Sequence, residues 1–112
     1  MAFPEDQVEE LKRLSTCIEQ CEEGGRTYLL LPGLYLPEGC SPSRVDGLLC
    51  PTERDGYPSR LFFAERVQSR NPLNWNANGV RIAERNWHAY SWKVNPNLRL
   101  VQMIAAHLRA LR

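Results

Sequence analysis

Thr27-Tyr28-Leu29-Leu30-Leu31-Pro32-Gly33-Leu34-Tyr35-Leu36 is the stretch on which the fold turns. Tyr28 to Leu31 form an unbroken apolar run, too short for a helix and consistent with a well-buried strand. Pro32-Gly33 breaks that run, and Leu34-Tyr35-Leu36 resumes extended structure. Upstream, residues 4–22 read as an amphipathic helix. Pro4 suits a first helical turn, Glu5 and Asp6 sit at the positive end of its dipole, and Val8, Leu11, Leu14, Ile18 and Cys21 recur at three- and four-residue steps. Gly24-Gly25 then ends the helix.

Downstream, residues 37–44 are loop by composition and Val45–Cys50 is a second strand. Pro51–Pro58 is a turn-rich connection, and Arg60–Val67 a third strand centred on Leu61-Phe62-Phe63. Residues 71–78 are polar loop, Asn78-Gly79 is a tight-turn dipeptide, and residues 80–94 are extended or irregular. Asn95-Pro96-Asn97 caps a final helix over 98–111, whose apolar face is Leu98, Val101, Ile104, Ala105, Leu108 and Leu111. Short connections between strands favour antiparallel pairing. The expected class is α+β: an N-terminal helix, an antiparallel meander of three to four strands and a C-terminal helix, in one domain spanning residues 1–112.

The bulk numbers fit that size. The chain has 112 residues, of which 43% are hydrophobic and 24% charged, the values of one globular domain with a modest core. A net charge of +1 gives no electrostatic case for nucleic acid or an anionic membrane. No run reaches the ~18 apolar residues of a membrane span. Met1 to Asp6 lack the basic and apolar regions of a signal peptide, so the expected compartment is the cytoplasm, with reduced thiols. Cys17, Cys21, Cys40 and Cys50 do not follow zinc-site spacing, and neither a metal nor a cofactor is expected.

Candidates for chemistry are few. Cys17 and Cys21 fall on or beside the apolar stripe of the first helix, where a cysteine is usually a small buried hydrophobe. Cys40, in a loop, and Cys50, at a strand end, are the candidate nucleophiles. Each would need a cation, a base or a helix N-terminus to lower its pKa. His88 is the candidate general base or proton donor, set among aromatics in Asn86-Trp87-His88-Ala89-Tyr90-Ser91-Trp92; packing in an aromatic cluster is its plainer role. His107 reads as a surface or boundary residue. Trp75, Trp87, Tyr90 and Trp92 are candidate partner-binding residues, with Trp75 the best candidate for exposure and core packing the alternative for two of the tryptophans. No phosphate loop, dinucleotide fingerprint or nucleophile elbow occurs.

Gly56-Tyr57-Pro58 ahead of a strand, after an N-terminal helix and a short meander, resembles the ubiquitin-conjugating (UBC-like) superfamily. Asn78-Gly79-Val80-Arg81-Ile82 falls where those enzymes carry their asparagine–glycine–cysteine segment, and a tryptophan-bearing stretch and an apolar helix follow. Leu36-Pro37-Glu38-Gly39, Gly56-Tyr57-Pro58 and Trp87-His88-Ala89-Tyr90-Ser91-Trp92 are similar to a group of short bacterial UBC-like proteins encoded beside ubiquitin-like proteins and activating enzymes. The resemblance covers roughly residues 27–111 and implies a minimal UBC-like fold, with a ubiquitin-like protein and an activating enzyme as partners.

The departures are equally plain. No cysteine occurs after Cys50, and Arg81 or a neighbour occupies the thioester-forming position. The chain also stops after the helix that follows that segment. Three readings follow. One is a transfer enzyme with a relocated nucleophile, Cys50 or Cys40, near His88. Another is a non-catalytic UBC-like module that holds a ubiquitin-like protein or partner enzyme. The third is a small regulatory or structural subunit of a mobile-element or antiphage-defence operon.

Overall fold

The computed structural model describes residues 4–15, 17–95 and 97–112. Three expectations touch the remainder: the signal-peptide reading of Met1 to Asp6, the expected first helix at Thr16 and the helix cap at Pro96 lie in part outside the described residues.

The chain is mostly sheet, which corrects the expected helix–meander–helix class. Its elements are α1 (Glu5–Leu11), β1 (Glu19–Glu23), β2 (Arg26–Tyr35), β3 (Arg44–Cys50), β4 (Arg60–Phe63), β5 (Ala77–Ile82), β6 (Arg85–Ala89) and α2 (Leu100–Leu108), with a 3-10 turn over Arg109–Leu111. The six strands form one antiparallel sheet in the order β1-β2-β3-β4-β6-β5. The sheet curls into a half-barrel, and its two outer hairpins come together where the Ala83 amide donates to Glu23 Oε1 at 3.0 Å.

The first helix is the largest correction. It ends at Leu11 rather than near residue 22, and Leu14 and Ser15 donate back to the Leu11 carbonyl as the chain turns away. The Ser15 hydroxyl is drawn to the Pro32 carbonyl, a tertiary partner outside the helix. Glu19–Glu23 pairs instead with β2, from Glu19 opposite Leu30 to Glu23 opposite Arg26. Gly24-Gly25, expected to end a helix, is the two-residue loop of that hairpin, with φ of 60° and 77°. Two successive positive φ values match the twist of paired strands, and glycine adopts them without strain.

The broken strand at Pro32-Gly33 is continuous. β2 pairs with β3 on both sides of the break, Leu31 opposite Gly47 and Leu34 opposite Val45, so β2 carries one extra residue in a bulge. Gly33, at φ 62°, turns its amide to Asp46 Oδ1 at 2.8 Å, which gives the bulged backbone a partner. Asn78-Gly79 is likewise a bulge inside β5: Ala77 faces Ala89 and Val80 faces Trp87. The turn between β5 and β6 is Ala83-Glu84, which contains no glycine. β4 stops at Phe63, four residues before the expected end of the third strand at Val67.

Both faces of the sheet are buried. Inside the curl lie Tyr28, Leu48, Cys50, Phe62, Ile82 and Trp87. On the other face, Leu29, Leu31, Leu49, Leu61 and Phe63 meet Leu11 of α1 and Met103 and Ile104 of α2. The final helix begins at Leu100, capped by Gln102 Oε1 accepting from the Arg99 amide at 3.0 Å rather than by the asparagines. Its buried side is Leu100, Met103, Ile104 and His107, so the helix is rotated from the expected face: Val101 and Leu108 are only partly buried at the margin of the core, and Ala105 is exposed.

Candidate functional site

The segments singled out in the sequence converge at one place, where the loop before β4 meets the chain leaving β6. Arg54 and Tyr57 exchange backbone hydrogen bonds, each at 2.9 Å, around an Asp55-Gly56 turn. That turn places Tyr57 just ahead of β4, an interior strand of the sheet. The Tyr57 hydroxyl lies 2.7 Å from Ser91 Oγ and accepts from Asn76 Nδ2 at 3.0 Å. Gly56-Tyr57-Pro58 is thereby joined to Trp87–Trp92 and to the loop that carries Trp75. These hydrogen bonds, from Ser91 first, hold the Tyr57 phenol below its ordinary pKa, with the charges of Arg60 and Lys93 acting in the same direction.

Arg60 lies beneath this ring, its guanidinium carbon 4.5 Å from the Tyr57 centroid. It is 3% exposed and donates to Asp55 Oδ2 at 3.2 Å, Asn76 Oδ1 at 2.6 Å and the Tyr90 carbonyl at 3.2 Å. A buried guanidinium with three acceptors fixes the relation between the three loops. One residue before it, Ser59 Oγ is 2.9 Å from His107 Nε2, and both residues are buried. Burial pushes the His107 pKa down to about 4, with the positive charge of Arg60 adding to the effect. The Tyr90 hydroxyl donates to the His107 carbonyl at 2.6 Å, and burial raises its pKa.

The candidate catalytic residues are not assembled. Cys50 is fully buried among the Trp87 cluster, its thiol 3.5 Å from the Thr52 carbonyl. His88 pairs with Phe63, which belongs to the opposite face, and its Nδ1 accepts from the Gly79 amide at 3.2 Å. Side chains alternate along a strand, so Cys50 and His88 point to different sides of the sheet. Cys40 is half-buried against the helix-side core, its sulfur 4.0 Å from the Leu111 carbonyl, and burial raises its pKa, opposite to what a thiolate nucleophile requires. Cys17 is exposed, and Cys21, on β1, is raised by burial and then by Glu23 and Glu19.

The candidate partner-binding aromatics divide. Trp87 is fully buried, donating its indole N–H to the Ile82 carbonyl at 3.0 Å, and Tyr90 is 3% exposed. Trp75, expected to be the exposed one, is half-buried edge-on against Phe63 and Tyr90, with centroids 5.8 and 5.2 Å away. Trp92 alone of the four reaches the surface, at 39% exposure, and its indole N–H donates to the Ala106 carbonyl at 3.0 Å. Sequence reasoning missed Ser59, Asn76 and His107. For His107 a signal existed, because it continues the Met103-Ile104 stripe by helical spacing.

Chemically, Ser59 and His107 have the distance of a nucleophile–base pair but no access to solvent, so they hold the core together. Tyr57, Asn76 and Ser91 are reachable and rich in hydrogen-bonding groups, which suits recognition. Among the described residues no group of three or more His, Cys, Asp or Glu is placed to hold a metal ion. No helix among them is long and apolar enough to cross a membrane. No family model, curated protein or solved structure matches the chain.

Proposed function

We propose that the chain is a non-catalytic, partner-binding component of a bacterial ubiquitin-like conjugation pathway, holding a ubiquitin-like protein or its activating enzyme. The observation that carries this reading is the 2.7 Å contact between Tyr57 and Ser91. It unites two of the segments on which the sequence resemblance rests, Gly56-Tyr57-Pro58 and Trp87–Trp92, in a single surface site. The placement of the thiols argues for binding rather than transfer. Thioester exchange needs an accessible thiolate beside a base or cation, and neither Cys50 nor Cys40 shares a pocket with His88.

The test mixes the protein with the ubiquitin-like protein, the activating enzyme and ATP, without reductant. The expected result is co-elution in size-exclusion chromatography, with no reductant-sensitive adduct on the chain. An adduct lost in Cys50→Ser or Cys40→Ser would replace the binding reading with a transfer enzyme. Failure to co-elute with either protein would remove the pathway assignment and leave the operon-subunit reading.

A further inference from the structure

The outward face of α2 is the surface that the core leaves unused. The helix carries two apolar stripes. Leu100, Met103, Ile104 and His107 are buried, while Val101 and Leu108, with Leu98 just ahead of the helix, are only partly covered and Ala105 is exposed. A groove runs on either flank of this second stripe, and the two grooves share Ala105. One is lined by Trp92, Leu98 and Ala106, the other by Leu14, Tyr35 and Leu108. Tyr35, at 58%, and Trp92, at 39%, are the exposed large hydrophobic residues among those described, and each stands in one of the two grooves.

Both aromatics are held in place. The Trp92 indole N–H is bonded to Ala106, and the Arg44 guanidinium lies 4.4 Å from the Tyr35 ring centroid. Rigid aromatics at a surface give contact area at little entropic cost, as at binding hot spots. The charged side chains that line the two grooves have one sign, with Glu38 beyond them in the cleft that adjoins Arg112. Lys93 and Arg109 line the Trp92 groove and Arg112 the Tyr35 groove, no carboxylate side chain lines either, and among the described residues none of the three cations has a carboxylate side-chain partner.

From this we infer that the outer face of α2 docks an acidic amphipathic segment of a partner protein, apolar side chains in the two grooves and carboxylates on Lys93, Arg109 and Arg112. Charge complementarity selects the acidic flank, and an apolar stripe beside a helix selects side chains at helical spacing. A nucleic acid fits less well. The groove floors are aliphatic, and Arg44 already occupies one face of the Tyr35 ring, whereas single strands need free aromatic faces for stacking. The inference does not depend on the conjugation pathway, since any partner with that chemistry would serve.

The experiment titrates the isotope-labelled protein with a synthetic amphipathic peptide bearing leucines at i, i+3, i+4 and i+7 and glutamates elsewhere. The comparison ligands are a version with lysine for glutamate, a scramble of the glutamate peptide and a single-stranded oligonucleotide. The expected result is saturable movement of the Trp92 indole resonance and of the α2 amides with the glutamate peptide alone. A Lys93→Glu/Arg109→Glu variant of unchanged melting temperature should weaken that binding at least about tenfold and bind the lysine peptide instead. Equal binding of the lysine peptide or the scramble would overturn the inference, as would binding of the oligonucleotide alone or no movement at about 1 mM peptide.

Discussion

The two faces of the sheet are buried by different means. Inside the curl, the packed core around Trp87 is mostly apolar, with the guanidinium groups of Arg85 over Trp87 and of Arg54 and Arg60 over Phe62, and the indole N–H is met by a backbone carbonyl of its own hairpin. On the helix side, apolar packing is interrupted by a polar seam in which Ser59, Tyr90 and His107 are buried and bonded to one another or to backbone, while Arg60, from the other face of β4, reaches the Tyr90 carbonyl. Apolar burial depends on filling space, and its cost of disruption follows volume. A buried polar seam depends on every partner being present, and its cost of disruption follows the charge or donor left alone. The first face should therefore be indifferent to pH, and the second sensitive to it.

Trp87→Ala is the severest way to break the apolar side. It removes a fully buried ring and its hydrogen bond, and should destabilise by about 4 kcal/mol, a large share of the stability of a domain of this size. Urea denaturation at neutral pH measures it. A loss under about 1 kcal/mol would mean that the curl closes without the ring and that the two faces are not distinct cores.

Acid sharpens the contrast from the other side. The folded pKa of His107 is depressed from 6.5 to about 4. Between those values the unfolded chain binds the proton that the folded chain refuses. The stability contributed by the neutral buried imidazole is thus complete above pH 6.5 and is lost as pH falls toward 4. The full difference corresponds to about 3 kcal/mol. His107→Gln should flatten the stability profile across that window, while Trp87→Phe, made on the apolar face, should leave its slope intact. A slope that survives His107→Gln would place the acid sensitivity elsewhere. Asp46 is a separate contributor: its carboxyl is lowered chiefly by the Gly33 amide, so its share is present above the ordinary aspartate range and disappears at more acid pH.

Within the seam, Ser59→Ala removes the partner of a buried imidazole nitrogen and should cost about 2 kcal/mol. Tyr57→Phe, at its solvent edge, keeps the ring over Arg60 and removes only the contacts with Ser91 and Asn76; the expected loss is about 1 kcal/mol. The order of these two values is the informative quantity. If Tyr57→Phe cost more than Ser59→Ala, the solvent edge and not the buried pair would be organising the loops.

How much of this was legible in the sequence follows from the kind of signal each element carries. β3 was read within a residue of its bounds, and the core of β2 correctly, because unbroken apolar runs of that length have few alternatives. β1 was lost because Leu14, Ile18 and Cys21 satisfy a helical step as well as they satisfy nothing else. The strand itself, Glu-Gln-Cys-Glu-Glu, has no β propensity and is held by pairing with β2. Tyr57 meets the tryptophan-rich segment through Ser91, a contact across 34 positions that no local signal marks. The Ser59–His107 pair spans 48 positions and belongs to tertiary structure alone. Over residues 98–111, helical spacing puts six apolar positions on one face. Two stripes are present, and only packing against β4 decides which one is buried.

The smallest expected effect concerns the two hairpins that close the curl. Gly24-Gly25 and Ala83-Glu84 are both two-residue loops, and both hold positive φ at each position, 60° and 77° in the first, 51° and 64° in the second. For glycine this is free of Cβ strain, whereas alanine and glutamate in the left-handed region each cost on the order of 1 kcal/mol. Ala83→Asn with Glu84→Gly would supply the residues that such a loop favours. The double variant should stabilise the protein by about 1 kcal/mol, less whatever entropy the new glycine adds to the unfolded chain. The Ala83 amide can still donate to Glu23, since the contact uses backbone on that side. The gain should appear equally at pH 7 and pH 4, because the loop closes the apolar face. A gain confined to one pH would tie this hairpin to the titrating seam and erase the distinction between the two sides of the sheet.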